Sequence, residues 1–304
     1  MSELQVNIAG VSFKNPVLAA SGTFGFGREY GRLYDISKLG GICCKAVTLE
    51  ERQGNPPPRI AETPSGMLNS VGLQNMGVDY FLGSELPFMR RAKAAVIVNI
   101  AGRTAEEYRA VAEKLNDSDI AMIELNISCP NVKEGGAAFG VNAASAANVT
   151  RQVRRHCKKP LMVKLSPNAA NIAEIAAAVE SEGADAVSLI NTITGMRIDL
   201  KSRRPVLHTN TGGLSGPAVF PVAVRMVWEV YKRVKIPVVG AGGIASWQDA
   251  AEMMMAGASA VQVGSAMFLD PYAPLKIIDG LRDYAAREKL QNISEIVGSV
   301  KAYE

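Results

Sequence analysis

Eight short runs rich in Val, Ile and Leu recur along this 304-residue chain, set apart by segments long enough for a helix. They are NPVLAAS (15–21), GICCKAV (41–47), AAVIVNIAG (94–102), MIELNIS (122–128), PLMVKLS (160–166), AVSLINT (186–192), IPVVGAGG (236–243) and AVQVGSAMF (260–268). Nearly unbroken hydrophobicity, rather than alternation, marks strands buried on both faces, as parallel strands are. The segments between them include TAEEYRAVAEKLN (104–116), NIAEIAAAVESEG (171–183) and SWQDAAEMMMAGA (246–258). The last two run into Gly-Ala just before a strand, a common way to stop a helix. About eight such strand–helix units close a barrel. The expected fold class is therefore α/β: a single (β/α)₈ TIM barrel over residues 1–304. The segment LQVNIAGVSFKNP (4–16) alternates around a Gly turn and predicts an N-terminal β-hairpin covering the barrel floor. Residues 48–93 and 193–217, rich in Pro, Gly, Asn, Thr and Arg, are expected to be top-face insertions that shape a substrate pocket. An open doubly wound sheet is the rival architecture. Its glycine fingerprint has only a weak counterpart in SGTFGFG (21–27), followed by charged residues with no acid in the expected place.

Composition narrows the function classes. Hydrophobic residues make up 48% and charged residues 20%, the profile of a large-cored globular protein. The formal charge of +4 carries no long basic run, so it suits a small anionic ligand and gives no specific argument for nucleic acid. No apolar run approaches the roughly 20 residues that span a bilayer. MSELQVNIAG lacks the basic-then-apolar order of a secretory signal, so a cytoplasmic location is expected. The four cysteines (Cys43, Cys44, Cys129, Cys157) and two distant histidines (His156, His208) suggest neither a disulfide framework nor a metal site.

Barrels of this kind place their chemistry where strands end. At those ends stand Ser21, Lys45, Asn99, Asn126, Lys164, Asn191 with Thr192, Gly242 with Gly243, and Gly264 with Ser265. Each alone could be a cap or a turn. The two late glycine pairs lie where such barrels often hold phosphate, because backbone N–H groups can approach an anion there. Lys164 sits among apolar residues, where a buried cation needs a partner. One reading pairs it with Glu124. The other turns it toward a cofactor that gains negative charge on reduction, as an isoalloxazine does at its N1/O2 edge. Asparagine is a poor strand former, so Asn99 and Asn126 are expected to hydrogen-bond a ring or a substrate. Alternation places Glu124, Asn126 and Ser128 on one face, into the barrel. Cys129, at the mouth ahead of a glycine-rich stretch, is a candidate general base. The other three cysteines read as buried structure.

Together, several motifs resemble class 1 dihydroorotate dehydrogenases, along essentially the whole chain. They are NPVLAASGTFG (15–25), CKAVTLEERQGNPPPRIAETPSGMLNSVGLQNMG (44–77), ELNISCPNVKEGGAAFG (124–140), VKLSPN (163–168), INTITGMRIDL (190–200), GGLSGPA (212–218), VGAGGI (239–244) and VQVGSAMF (261–268). The resemblance implies oxidation of (S)-dihydroorotate to orotate in pyrimidine biosynthesis, with one tightly bound FMN. It implies that Cys129 removes the C5 proton while hydride leaves C6 for flavin N5. It places orotate on Lys45, Asn69, Ser70, Val71, Gly72, Leu73, Asn126, Asn191 and Thr192. It places FMN on Ser21, Lys45, Ala46, Asn99, Asn126, Lys164, Ile190, Gly216, Gly242, Gly243, Gly264 and Ser265. Gly216 and residues 69–73 come from the resemblance alone.

MLNSVGLQNMG and CPNVKEGGAAFG are similar to the 1B subclass, with Met76 standing where 1B relatives more often have proline. That similarity implies a homodimer assembled with an electron-transfer subunit carrying FAD and a [2Fe-2S] cluster, a heterotetramer that passes electrons to NAD⁺. The scattered cysteines here supply no cluster site of their own. The alternatives are a fumarate-linked 1A enzyme, a phosphosugar isomerase or synthase barrel without flavin, and a non-catalytic binding barrel.

Overall fold

A computed structural model describes residues 3–128 and 137–303. The chain opens with strands β1 (Val6–Ile8) and β2 (Val11–Phe13), an antiparallel hairpin. Phe13 is fully buried, and its ring packs beside Gly41 at the start of the second barrel strand, so the hairpin does cover the floor. The barrel itself is made by β3 (Val17–Ala19), β4 (Gly41–Cys43), and, after the β5 (Ile60–Thr63) and β6 (Gly66–Asn69) hairpin, β7 (Val96–Ile100), β8 (Met122–Asn126), β9 (Leu161–Lys164) and β10 (Ala186–Leu189). Three short pieces follow, β11 (Ile193–Gly195), β12 (Ile198–Asp199) and β13 (Arg204–Pro205), then β14 (Gly212–Ser215). Strands β15 (Val238–Ala241) and β16 (Ala258–Val263) complete the set.

Eight parallel strands close in the order β3-β4-β7-β8-β9-β10-β15-β16, with β16 pairing back onto β3. Each lies within one of the eight apolar runs or overlaps it, and almost every residue in them is buried. The outer helices begin at side-chain caps. Thr104, Asn142, Asn171 and Ser246 each accept a backbone N–H from the first turn, and Ser246 with Asp249 forms a capping box. The first connection differs from the regular pattern. Between β3 and β4 stand two short 3₁₀ turns, Tyr30–Arg32 and Ile36–Lys38, where the barrel plan calls for an α-helix. No helix among the described residues is long and apolar enough to cross a membrane.

The two long insertions meet each other. One contributes β5 and β6, the other β11 and β14, and the four form a sheet in the order β11-β14-β6-β5. Pairing of Gly213 with Asn69 and Leu214 with Leu68 joins segments almost 150 residues apart above the barrel mouth.

Candidate active site

Every barrel strand except β7 delivers a residue to one cavity at its C-terminal end. Ser21 and Thr23 follow β3, and Lys45 with Ala46 follows β4. Asn126 ends β8 and Lys164 ends β9, while Ile190, Asn191 and Thr192 follow β10. Gly242 and Gly243 follow β15; Gln262, Gly264 and Ser265 come from β16 and its end. The four-stranded sheet roofs one side with Met67, Asn69, Leu214 and Ser215, and the loop after β6 adds Val71, Gly72 and Leu73. Three residues named by resemblance stand behind this wall. Asn99 is fully buried and accepts from Asn126 Nδ2 at 3.2 Å. Ser70 is fully buried, with its backbone N–H donating to the Arg59 carbonyl at 2.8 Å. Gly216 lies against Gly243. Cys129 lies outside the described residues.

The late glycines Gly242, Gly243 and Gly264 line the cavity with bare backbone. At Gly243 φ is +77°, and a Cβ would meet Phe220 and the Gly216 carbonyl at 2.7–2.9 Å, so glycine is the residue that fits. The Gly243 and Ser265 N–H groups have no acceptor among the described residues and stand free for a ligand. Lys45 adds positive charge. Burial, then repulsion from Arg59, pushes its ammonium below the usual lysine range. An anion between these cations would relieve both effects.

Beneath the cavity lies a polar layer. Lys164 Nζ is 3.5 Å from Glu124 Oε1 and donates to Gln262 Oε1 at 3.3 Å. The reading that pairs this lysine with Glu124 therefore holds, and the same side chain also lines the cavity. Glu124 bonds to side chains from β4, β7, β10 and β16, which turns its face into the barrel as alternation expects. Burial favours the neutral form of Glu124, but Lys164 and donors from Cys43, Gln262 and Ser188 outweigh it and hold the carboxyl below its ordinary range. Cys43 is pushed well above its ordinary value, first by burial and then by Glu124, so it is an inert thiol. A second chain of bonds runs toward the roof. Ser128 donates to Asn126 Oδ1 at 3.1 Å, and Asn191 Nδ2 donates to Ser128 Oγ at 2.9 Å. These bonds orient the two amides that line the cavity.

Sequence reasoning passed over Gln262, which carries the same signal as Lys164: a polar side chain inside an apolar strand run, two residues before a mouth glycine. It also passed over Met67, Leu214 and Ser215, whose place depends on long-range pairing.

The sequence profile of the dihydroorotate dehydrogenase family matches residues 3–284. The chain belongs to that family. It is 56% identical over 301 residues to the "Dihydroorotate dehydrogenase B (NAD(+)), catalytic subunit" of Parabacteroides distasonis, covering 99% of both chains. Proteins of the same description from Bacteroides fragilis and a Thermoanaerobacter species are 54% and 52% identical, again over 98% or more of each chain. The expected family, its oxidoreductase class and its leaning toward the 1B subclass are all borne out. A non-flavin isomerase barrel is thereby set aside.

Proposed function

We propose that this chain oxidises (S)-dihydroorotate to orotate in pyrimidine biosynthesis, as the cytoplasmic catalytic subunit of an NAD⁺-linked enzyme. The observation that carries this reading is the convergence of Lys45, Lys164, Asn126, Asn191 and two glycine turns on one cavity. The residues fit FMN. The Gly243 and Ser265 N–H groups suit its phosphate, and Ser21, Ala46, Ile190, Gly242 and Gly264 line the same space, backed by Gly216 and Asn99. Lys164 suits a ring edge that gains charge. Bound FMN supplies the two-electron acceptor that no side chain here provides.

The chain's own residues bind, orient and deprotonate. Lys45 gives the substrate carboxylate a charge-assisted partner. Asn69, Asn126, Asn191 and Thr192 offer amide and hydroxyl groups to the ring, and Ser70, Val71, Gly72 and Leu73 form the loop closing over it. Cys129 takes the proton from C5. The names of the relatives support a partner subunit, which we assign FAD and a [2Fe-2S] cluster, with two copies of each chain in a heterotetramer around a homodimer. Phe268, 54% exposed at the cavity rim, and the adjoining Leu269, 88% exposed, leave an apolar edge suited to such docking. Fumarate as acceptor, the 1A alternative, has no comparable support.

The test is spectroscopic. The purified chain is expected to be yellow, to release FMN on heating, and to bleach anaerobically on adding dihydroorotate. A yellow protein that dihydroorotate leaves oxidised would contradict the substrate; a colourless one that takes up no FMN would contradict the cofactor.

A further inference from the structure

Glu124 and Gln262 take no part in the reaction described above, yet they sit at the centre of a buried hydrogen-bonded cluster. Glu124 is fully buried and uses both oxygens. Its Oε1 accepts from Asn99 Nδ2 at 2.5 Å and Cys43 Sγ at 3.1 Å; its Oε2 accepts from Ser188 Oγ at 2.7 Å and Gln262 Nε2 at 2.8 Å. Gln262 spans the gap, donating to Glu124 and accepting from Lys164. An ammonium has three N–H groups. Two face Glu124 and Gln262, which leaves one for the cavity that Lys164 lines.

We propose that Glu124, bridged by Gln262, is a positioning residue for Lys164: it aims the ammonium at the cofactor and offsets part of its charge. The proposal rests on reading the cavity as a flavin site. The cofactor's electron affinity is then set by a buried ion pair rather than by a lone cation. Two opposite charges about 3.5 Å apart act on a nearby ring as a dipole, weaker than either charge alone. The same carboxylate holds the Asn99 amide, whose Oδ1 in turn accepts from Asn126, so one buried charge orients two cavity groups.

The test compares Glu124→Gln, Lys164→Met and the double variant, each loaded with FMN. The readouts are the midpoint potential of the flavin and its affinity for inorganic sulfite, whose adduct carries negative charge. Neither requires turnover. Glu124→Gln is expected to raise the potential and tighten sulfite binding roughly tenfold, the effect of one unit charge across several ångströms of protein. Lys164→Met should do the reverse, and the double variant should fall between the two. The double variant leaves no unpaired buried charge, so it decides the matter should Glu124→Gln not fold. Glu124→Gln matching wild type, or the double variant matching Lys164→Met, would overturn the proposal while leaving the flavin site intact. A wild-type chain that binds no FMN would overturn the site reading and this proposal together.

Discussion

Lys45 is half-buried at the cavity wall beside Arg59, and burial with that repulsion depresses its basicity. A cation so placed stabilises an anionic ligand more than a solvated lysine would, because less water competes for it. Asn126 and Asn191 are pinned through Asn99 and Ser128, so their amides are set before any ligand arrives. That preorganisation is what a base needs if it is to find one proton among several. Cys129→Ser is expected to keep its FMN but to be reduced by dihydroorotate roughly 10²- to 10⁴-fold more slowly at neutral pH, the usual worth of a general base. Stopped-flow bleaching measures this, and unchanged kinetics would remove Cys129 from the base role. At this scale the sequence was informative wherever a polar residue broke an apolar run near its end, as at Lys164 and Asn126. Ser188 and Gln262 break their runs in the same way, one residue before their strands end, but their role is legible only once Glu124 is placed opposite them.

The barrel strands announced themselves because burial on both faces favours aliphatic residues along most of each run. The roof did not. Its strands, such as GMLN and GGLS, are short and glycine-rich, and what makes them strands is a partner from the other insertion. Their glycines answer to the site. A Cβ on Gly213 would overlap the Thr192 hydroxyl, so only glycine lets the sheet come this close to Thr192, three residues past β10. Gly213→Ala is expected to displace Thr192 and weaken orotate binding about fivefold, the worth of one hydrogen bond, while FMN content stays unchanged. Titrating orotate against the oxidised flavin spectrum checks it; identical binding would show that Thr192 does not hold the ligand. The missing helix of the first unit was equally hard to foresee. There Phe24 stacks on Tyr30 with ring centroids 4.4 Å apart, and both rings are buried.

Across the whole molecule, the division of labour follows from closing the sheet. The hairpin seals the floor, the lower barrel is apolar, and polar side chains from β4, β7, β8, β9, β10 and β16 gather in one layer under the mouth. A charge-bearing layer is tolerable there because each member has a partner. Above it the two insertions roof the cavity, on the side we assign to the substrate, and the late glycines line the end we assign to the phosphate. The most direct measurement is a crystal structure of the FMN-loaded chain with orotate. The account predicts the phosphate on the Gly243 and Ser265 N–H groups, the flavin ring edge against Lys164, and orotate between Lys45, Asn126 and Asn191 beneath the roof. Flavin or orotate bound away from this mouth, with Lys164 facing neither, would contradict it.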